Sequence, residues 1–341
     1  MSYVYSNILM NSYARTVRVG VAGATGYTGV ELLRLLGRHP GVQIAAAMGS
    51  PGALSRRLPA LKSLWDATVD GLDVEALAAG TDAVFLALPE HAAAEVAPML
   101  LARGKRVFDL SGAFRLRDTA LRQRWYPQTL EQPASVVYGL TERNRDLLRD
   151  STLVACAGCY PTAAILALQP LLKAGLIGQP IIIDAKSGVS GAGKTPTERT
   201  HFSECHGSLS AYGVFNHRHA AEIEQELDTP VTFVPHLLPI DRGILETIYA
   251  TLAPGVDDPA IASALHEAYD TAPFVRLTGA DLPEIKHVAH TNFCDIGWRV
   301  NPATRQLVLV VCIDNLVKGA AGQAVQNFNV AFGFDERLGL N

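Results

Sequence analysis

The chain has 341 residues, more than one ordinary domain holds, so two domains are expected. Its formal net charge of -4 and its 18% charged residues give no electrostatic reason to expect a nucleic-acid partner. No apolar run is long enough to predict a membrane span, and five sparse cysteines argue against a disulfide scaffold and for a reducing cytoplasm.

Residues 1–16 lack the basic start and the continuous apolar core of a signal peptide, and we interpret them as an N-terminal extension. After them, short apolar runs alternate with segments of helical spacing. The predicted strands are 17–22, 42–47, 83–88 and 106–110, and the predicted helices are 30–40 and 91–104. This alternation predicts a parallel sheet with helices on its faces, and therefore an α/β, Rossmann-type dinucleotide-binding domain over residues 17–155.

A glycine-rich turn joins the first predicted strand to the first predicted helix. Its glycines have the spacing GxxGxxG, which allows a tight turn, a close approach of backbone to pyrophosphate and close packing of helix on strand. The helix N-terminus adds N–H groups and a partial positive charge. A plain tight turn is the alternative interpretation. The positions predicted to contact a dinucleotide are Gly23, Thr25, Gly26, Tyr27, Thr28 and Gly29.

The end of the second predicted strand bears on the choice between NAD and NADP. An NAD site usually places Asp or Glu there to hold the ribose 2′-hydroxyl. Residues 45–57 contain no acid. Ser50 can hydrogen-bond a 2′-phosphate, and Arg56 or Arg57 can offset its charge, unless both arginines are simply solvated. The segment favours NADP.

Beyond residue 155 the pattern changes. The strand candidates are 181–185, 231–235, 243–252 and 307–313, and fewer helices separate them. We therefore expect an α+β catalytic domain with a mixed or antiparallel sheet over residues 156–315. Helical spacing returns at residue 316, and the C-terminal helix, within about 316–341, is expected to complete the first domain.

Residues 154–162 read VACAGCYPT and lead into a segment of helical spacing with a proline near its start. Cys159 is therefore expected at or just before a helix N-terminus, which stabilises the thiolate, the reactive form of cysteine. Two alternatives stay open: a small buried hydrophobe, or a redox pair with Cys156. A structural zinc site would need a second pair of ligands at the usual spacing, so no metal is predicted.

The same segment resembles the active-site signature of the N-acetyl-gamma-glutamyl-phosphate reductases, two-domain enzymes grouped with the aspartate-semialdehyde dehydrogenases. Other ordered matches include GATGYTGVELLRLL, DLSGAFRLRD, DAKSGVSGAGK, HRHAAEIEQEL and DNLVKGAAGQAVQNFN. The resemblance implies NADPH-dependent reduction of N-acetyl-glutamyl phosphate in arginine biosynthesis. The corresponding lysine-pathway enzyme, whose longer acyl phosphate is bound to a carrier protein, is the close alternative, and a nucleotide-sensing regulator of the same fold is a more distant one.

By this resemblance, Cys159 attacks the acyl phosphate and the resulting thioester is reduced. The family pattern also places an acid/base histidine in the triplet of residues 217–219. His217 is favoured, His219 is the close alternative, and a structural role such as capping is open for either. The implied substrate contacts are Arg115, Tyr212 and Arg218.

A second glycine-rich loop follows the strand candidate at 181–185 and, by the same resemblance, approaches the nicotinamide end of the cofactor. The implied cofactor contacts in this half are Ser187, Gly188, Gly191, Asn292 and Asn315. Either asparagine could instead be a turn residue. Enzymes of this type are commonly homodimers or homotetramers, so a homo-oligomer acting on a small-molecule substrate is expected, with no nucleic-acid or membrane partner.

Overall fold

The computed structural model describes residues 16–129, 131–133 and 135–341. The predicted N-terminal extension at 1–16 therefore lies outside the described residues except for Thr16. In the part of the chain that is described, no helix is both long and apolar enough to cross a bilayer.

The chain divides into two compact units. The first takes in the described residues up to Phe114 together with Tyr126–Cys156 and Ala324–Asn341. The second consists of Arg115–Trp125 and Ala157–Gln323. The domain limits expected from the sequence stay a prediction beside these units.

A parallel sheet forms the centre of the first unit. The strands of this unit are β1 (Val17–Ala22), β2 (Val42–Met48), β3 (Arg56–Arg57), β4 (Thr68–Val69), β5 (Ala83–Leu86), β6 (Arg106–Asp109), β7 (Val136–Gly139) and β8 (Leu153–Cys156). Strands β3 and β4 pair as a separate ribbon, and the other six pair in parallel in the order β2-β1-β5-β6-β8-β7. Strands β5 and β8 are buried along their whole length, as continuous apolar runs predict. The predicted α/β, Rossmann-type fold is confirmed.

The helices connect and cover the strands. In chain order they are α1 (Tyr27–Leu36), α2 (Val74–Gly80), α3 (Glu90–Ala102), α4 (Thr119–Trp125), α5 (Thr141–Leu148), α6 (Cys159–Lys173), α7 (Phe202–Cys205), α8 (Arg218–Leu227), α9 (Asp258–Tyr269) and α10 (Gly322–Phe332). Short 3-10 turns lie at Pro59–Leu61, Val189–Ala192, Glu198–Thr200 and Ile285–His287, and a π-helical turn lies at Val317–Ala321. Helix α1 begins three residues before the predicted start because the extended Gly26 is already its N-cap.

The C-terminal part of the chain packs within the first unit. Asn327 is fully buried in α10, where its Nδ2 donates to the carbonyl oxygen of Gly139 at 2.9 Å and its Oδ1 accepts from Thr141 Oγ1 at 2.6 Å. The Phe328 ring lies 5.6 Å from that of Phe85 in the sheet. Residues far apart in the sequence therefore share one core.

A mixed sheet forms the centre of the second unit. Its strands are β9 (Ile177–Gly188), β10 (Ser210–Ala211), β11 (Thr232–Leu238), β12 (Ile244–Leu252), β13 (Val275–Gly279), β14 (Cys294–Asn301) and β15 (Gln306–Ile313). They lie in the order β10-β11-β9-β12-β15-β14-β13, with β11–β9 and β13–β14 parallel and the other pairs antiparallel. The mixed sheet expected for the second half is confirmed.

The two faces of this sheet differ. Burial alternates residue by residue along β12, and helix α6 packs on β9, β12 and β15. The opposite side, here called the outer face, is only half-buried in its centre. The central residues of the outer face are Ile182, Asp184, Lys186, Val234, His236, Leu245, Thr247 and Tyr249.

Candidate active site

The turn after β1 requires glycine at two positions. Gly23 has a φ of 82°, and a Cβ there would lie 2.1 Å from the carbonyl oxygen of Ala87. A Cβ at Gly29 would lie 2.2 Å from the carbonyl oxygen of Gly23. At Gly26 a Cβ would meet that oxygen only at 3.5 Å. The turn thus holds α1 against the strand and leaves the helix N-terminus approachable.

The N-terminus of α1 offers the donors that a pyrophosphate needs. First-turn N–H groups, here those of Tyr27, Thr28 and Gly29, are not used inside a helix. The helix has no side-chain cap at Gly26 and no acidic residue in its first turn. An anion therefore meets aligned N–H groups without a local negative charge. The residues present fit the phosphates of a dinucleotide.

The residues predicted to hold a 2′-phosphate lie after β2. Ser50 is exposed, and its carbonyl oxygen accepts the N–H of Ala53 at 3.2 Å. Arg56 and Arg57 form β3 and are exposed. Their contact with a 2′-phosphate stays a prediction.

Cys159 is the first residue of α6, with Gly158 as the N-cap, and this confirms its predicted position at a helix start. Its sulfur accepts a hydrogen bond from the backbone N–H of Tyr160. The chain at Gly319 packs so closely that a Cβ there would lie 2.8 Å from the Cβ of Cys159. The nucleophile is therefore held on a rigid element and covered on one side.

Burial raises the pKa of the Cys159 thiol to about 11, although the positive charge of Arg115 and the Tyr160 N–H act in the opposite direction. The sequence predicts a stabilised thiolate at a helix start, and that expectation is wrong for the chain without substrate. Loss of hydration disfavours the charged sulfur more than these neighbours favour it. The thiol therefore needs a base that takes its proton.

Three buried side chains converge on Gly158. Glu222 Oε1 accepts the N–H of Gly158 at 2.8 Å, and Glu222 Oε2 lies 3.4 Å from Arg115 Nη1. A Cβ at position 158 would lie 2.8 Å from His219 Nε2 and 2.9 Å from both Arg115 Nη1 and Glu222 Oε2. Position 158 therefore has to be glycine, and the peptide before the nucleophile is fixed by contacts with helix α8.

The sequence analysis missed Glu222. The available signal was its spacing from His219: residues three apart on a helix share a face, and both are buried. Buried polar residues on one face of an otherwise amphipathic helix point to a site rather than to packing alone.

His217 and His219 lie close together although the helix begins between them. Their ring centroids are 4.9 Å apart. His217 is the N-cap of α8, and its Nδ1 accepts the backbone N–H of His219 at 3.1 Å. Burial lowers the pKa of His217 to about 4 and lowers that of His219 well below its usual value. Both rings are therefore neutral at pH 7.

One cavity of about 830 Å³ in the second unit brings together Cys159, both histidines and two of the predicted substrate contacts, Tyr212 and Arg218. The Tyr160 and Tyr212 hydroxyls are 3.3 Å apart. The other lining residues are Ser187, Gly191, Ala192, Thr197, Glu198, Arg199, Thr200, Glu204, Cys205, Ser208, Ser210 and Leu237.

The second glycine-rich loop contributes to this wall through Ser187 and Gly191. Gly188 allows close packing, because a Cβ there would lie 2.8 Å from the backbone nitrogen of Arg242. Asn315 braces the loop: its Nδ2 donates to Ser190 Oγ at 2.9 Å and its Oδ1 accepts the N–H of Gly243 at 2.8 Å.

Asn292 and Arg115 are not among the residues that line the cavity. Asn292 is 1% exposed, and a Cβ at Gly322 would lie 2.3 Å from its Oδ1. Arg115 is buried in its ion pair with Glu222. The cofactor contact of Asn292 and the phosphate contact of Arg115 stay predictions.

The alternative of a Cys156 redox pair gains no support. Cys156 is buried in β8, where its sulfur accepts a hydrogen bond from Asn327 Nδ2 at 3.7 Å. The five cysteines are all free thiols.

Two family models match the chain. The semialdehyde dehydrogenase NAD binding domain matches residues 18–151, and the semialdehyde dehydrogenase dimerisation domain matches residues 159–315. The chain belongs to the semialdehyde dehydrogenase family. Cys159 is the first residue of the second match, so the cysteine lies at the start of the family's dimerisation domain.

Members of this family named N-acetyl-gamma-glutamyl-phosphate reductase are similar over nearly the whole chain. The protein of Desulforapulum autotrophicum is 44% identical, and that of Geobacter metallireducens is 46% identical. Each alignment covers 95% of this chain and 98% of the relative. The resemblance noted in the sequence is confirmed.

Solved structures of semialdehyde dehydrogenases share the fold. Aspartate semialdehyde dehydrogenase II from Vibrio cholerae superposes with a TM-score of 0.72 at 17% identity, covering 94% of this chain and 99% of that one. The Candida albicans aspartate semialdehyde dehydrogenase with NADP gives a TM-score of 0.70 at 17% identity, covering 92% and 98%. At these identities the likeness shows the fold alone.

The raised pKa of Cys159 predicts how its thiol reacts. We expect its alkylation by iodoacetamide, without substrate, to accelerate up to about tenfold per pH unit from about pH 8 to about pH 10, because the thiolate fraction grows below a pKa of about 11. Mass spectrometry of the peptide that carries Cys159 measures the rate, with N-acetylcysteine in the same buffers as the control. A rate already constant at neutral pH would contradict the prediction.

Proposed function

We propose that this chain reduces N-acetyl-gamma-glutamyl phosphate to N-acetylglutamate 5-semialdehyde and phosphate, with NADPH as reductant, in arginine biosynthesis. The names of its relatives, such as those from Desulforapulum autotrophicum and Geobacter metallireducens, support the substrate. The structural observation that carries the proposal is the cavity shared by Cys159, His219 and two arginines. It combines a nucleophile, a base and cations for a strongly anionic acyl phosphate.

Cys159 carries the acyl group through the reaction. As its sulfur attacks the acyl carbon, the C–S bond forms, the C–O bond to phosphate breaks, and the thiol proton passes by way of His219 to the departing phosphate. NADPH, when bound, supplies the hydride that reduces the thioester. The C–S bond then breaks to release the aldehyde, and Cys159 leaves as a thiolate that regains a proton from solvent. Covalent catalysis thus splits one difficult step into easier ones.

The two histidines have different roles in this proposal. The sequence favours His217 as the base, but the cap geometry supports His219. Nδ1 of His217 accepts the N–H of His219, so neutral His217 carries its proton on Nε2 and can donate a hydrogen bond but not take a proton there. Nε2 of His219 points at Gly158, next to the nucleophile. We assign proton transfer to His219 and a hydrogen bond to the substrate carbonyl oxygen to His217.

The cofactor in this proposal is NADP, with its pyrophosphate at the glycine turn before α1 and its 2′-phosphate at Ser50. The match to the family's NAD binding domain and the NADP in the Candida albicans structure support it. Ser187, Gly188 and Gly191 are assigned to the nicotinamide end, with Asn315 as the brace of their loop. NADPH and a reduced thiol suit a reducing compartment, so a cytoplasmic location is part of the proposal.

The homo-oligomer indicated by the family's dimerisation domain is proposed to be a dimer through the outer face, with a tetramer as a pair of such dimers. All strands of this face lie within the matched residues 159–315. The apolar part of this face is formed by Ile182, Val234 and Tyr249. Beside it, an oxygen of the Asp184 carboxylate lies 2.9 Å from Lys186 Nζ and the other lies 3.2 Å from His236 Nδ1. A surface that mixes apolar area with both signs of charge can pair with itself about a two-fold axis.

The reverse reaction tests substrate and cofactor together. We expect oxidation of N-acetylglutamate 5-semialdehyde in the presence of phosphate to be faster with NADP⁺ than with NAD⁺. Cys159→Ser should lower kcat by about a thousandfold or more, because the hydroxyl is a far weaker nucleophile, and should leave NADPH binding unchanged by fluorescence. Cys156→Ala is the control and should keep most of the activity. An inactive wild type contradicts the substrate, and an active Cys159→Ser variant contradicts the nucleophile.

The histidine roles predict unequal losses. His219→Gln should lower the single-turnover rate of acylation by about 10²–10⁴-fold, because it removes the base. His217→Asn keeps a side-chain oxygen that can cap α8 and loses only the Nε2 donor, so about a tenfold loss is expected. Rapid quenching and phosphate measurement give both rates. A larger loss for His217→Asn would reverse the assignment.

A charge placed on the outer face should separate the subunits. We expect the wild type to show at least a dimer mass in analytical ultracentrifugation and Ile182→Asp to shift it towards the monomer, because the carboxylate would be buried against the second copy. Leu147→Asp, an exposed leucine of the first unit, is the matched control and should keep the wild-type mass. An unchanged mass for Ile182→Asp would count against this interface.

A further inference from the structure

Part of the cavity wall has no role in the mechanism above. It is formed by residues 197–208, between β9 and α8, and its one cation is Arg199. The sequence analysis did not single out this arginine. Among the described residues, Arg199 makes no ion pair with any carboxylate. An exposed guanidinium that lines a substrate cavity and is not neutralised by a carboxylate is available for an anionic part of the substrate.

The backbone that carries Arg199 is fixed in place. It belongs to the 3-10 turn Glu198–Thr200, which is closed by a reciprocal capping box. Thr197 N donates to Thr200 Oγ1 at 2.9 Å, and Thr200 N donates to Thr197 Oγ1 at 3.3 Å. Both threonines also line the cavity. The turn is therefore pre-organised, and less side-chain order has to be gained when a ligand binds.

Contacts with two tyrosines connect Arg199 to the helix that carries the nucleophile. Its guanidinium carbon lies over the ring of Tyr212, 5.5 Å from the centroid. The hydroxyl of Tyr212 is 3.3 Å from that of Tyr160, the residue after Cys159. Arg199 thus lines the cavity beside Tyr212, whereas the charges that most affect the pKa of the Cys159 thiol are those of Arg115, Glu222 and Glu246.

The substrate of the proposed function carries anions at two places. Its phosphate is bonded to the acyl carbon that Cys159 attacks, so the cation for the phosphate has to stand beside the sulfur. Its α-carboxylate is separated from that carbon by the three backbone carbons of the glutamyl chain. We propose that Arg199 binds this α-carboxylate and so selects acyl phosphates that carry a carboxylate at their far end. This inference rests on the proposed function.

The neighbouring charges make this role sensitive to substitution. Glu198 and Glu204 line the same part of the wall, whereas Arg218 follows the cap residue His217. Without the charge of Arg199, the segment would present two acids to an incoming carboxylate and repel it. Arg199 therefore has to overcome local repulsion as well as supply attraction.

The experiment measures the reverse reaction with two aldehydes: N-acetylglutamate 5-semialdehyde and its analogue with a carboxamide in place of the α-carboxylate. The wild type, Arg199→Gln and Arg199→Lys are compared at a fixed concentration of NADP⁺. In one series the aldehyde concentration is varied, and in the other the phosphate concentration, so that kcat and KM are obtained for each. Lys194→Gln is the matched control, because it removes a positive charge from the same exposed segment outside the cavity wall.

We expect Arg199→Gln to lower kcat/KM for the carboxylate aldehyde about tenfold or more, mainly through KM, as loss of a charged hydrogen bond does. For the carboxamide analogue, Arg199→Gln and the wild type should have the same kcat/KM, and the KM for phosphate should not change. Arg199→Lys should recover part of the loss on the carboxylate aldehyde. The control Lys194→Gln should resemble the wild type on both aldehydes. Equal losses on both aldehydes, no loss, or a raised KM for phosphate alone would overturn the role of Arg199 while the proposed function stands. A wild type inactive with the carboxylate aldehyde would overturn both.

Discussion

The hydrogen bond from the Gly158 N–H to Glu222 is the constraint on which the rest of the site depends. It fixes the last peptide before α6 and so fixes the direction in which the Cys159 side chain points from the helix start. Glu222 and His219 share one face of α8, so the same hydrogen bond also fixes the position of the base relative to the nucleophile. Arg115 balances the buried carboxylate. Because buried ion pairs lose much of their Coulomb energy to desolvation, this pair contributes orientation more than stability.

Enclosing the nucleophile in this way has an electrostatic consequence. The partial burial of Cys159 raises the pKa of its thiol and so favours the protonated sulfur at neutral pH. The same burial keeps both histidines neutral, so a base is ready when the thiol needs one. Cys159 therefore becomes a reactive thiolate only when a histidine takes its proton, and it stays a neutral thiol between turnovers.

The sequence pattern predicted those parts of the fold and the site that depend on residues close together in the chain. The parallel sheet, the glycine turn and the start of helix α6 at Cys159 follow from apolar spacing and from the conformational needs of glycine. The Arg115–Glu222 pair joins residues far apart in the chain, and no spacing rule reaches that far. Arg199 lies in an irregular segment, where side-chain direction depends on a capping box of only a few residues. The pKa of Cys159 was misjudged because it depends on burial, which tertiary packing decides, more than on the helix start.

The contribution of α10 to the first unit affects the order in which the chain can fold during synthesis. Strands β1 to β8 emerge from the ribosome early, but the carbonyl of Gly139 and the hydroxyl of Thr141 obtain their Asn327 partner only after the intervening second unit has been made. The second unit contains its whole sheet between residues 177 and 313. The half of the protein that is synthesised first is therefore the half whose core is completed last.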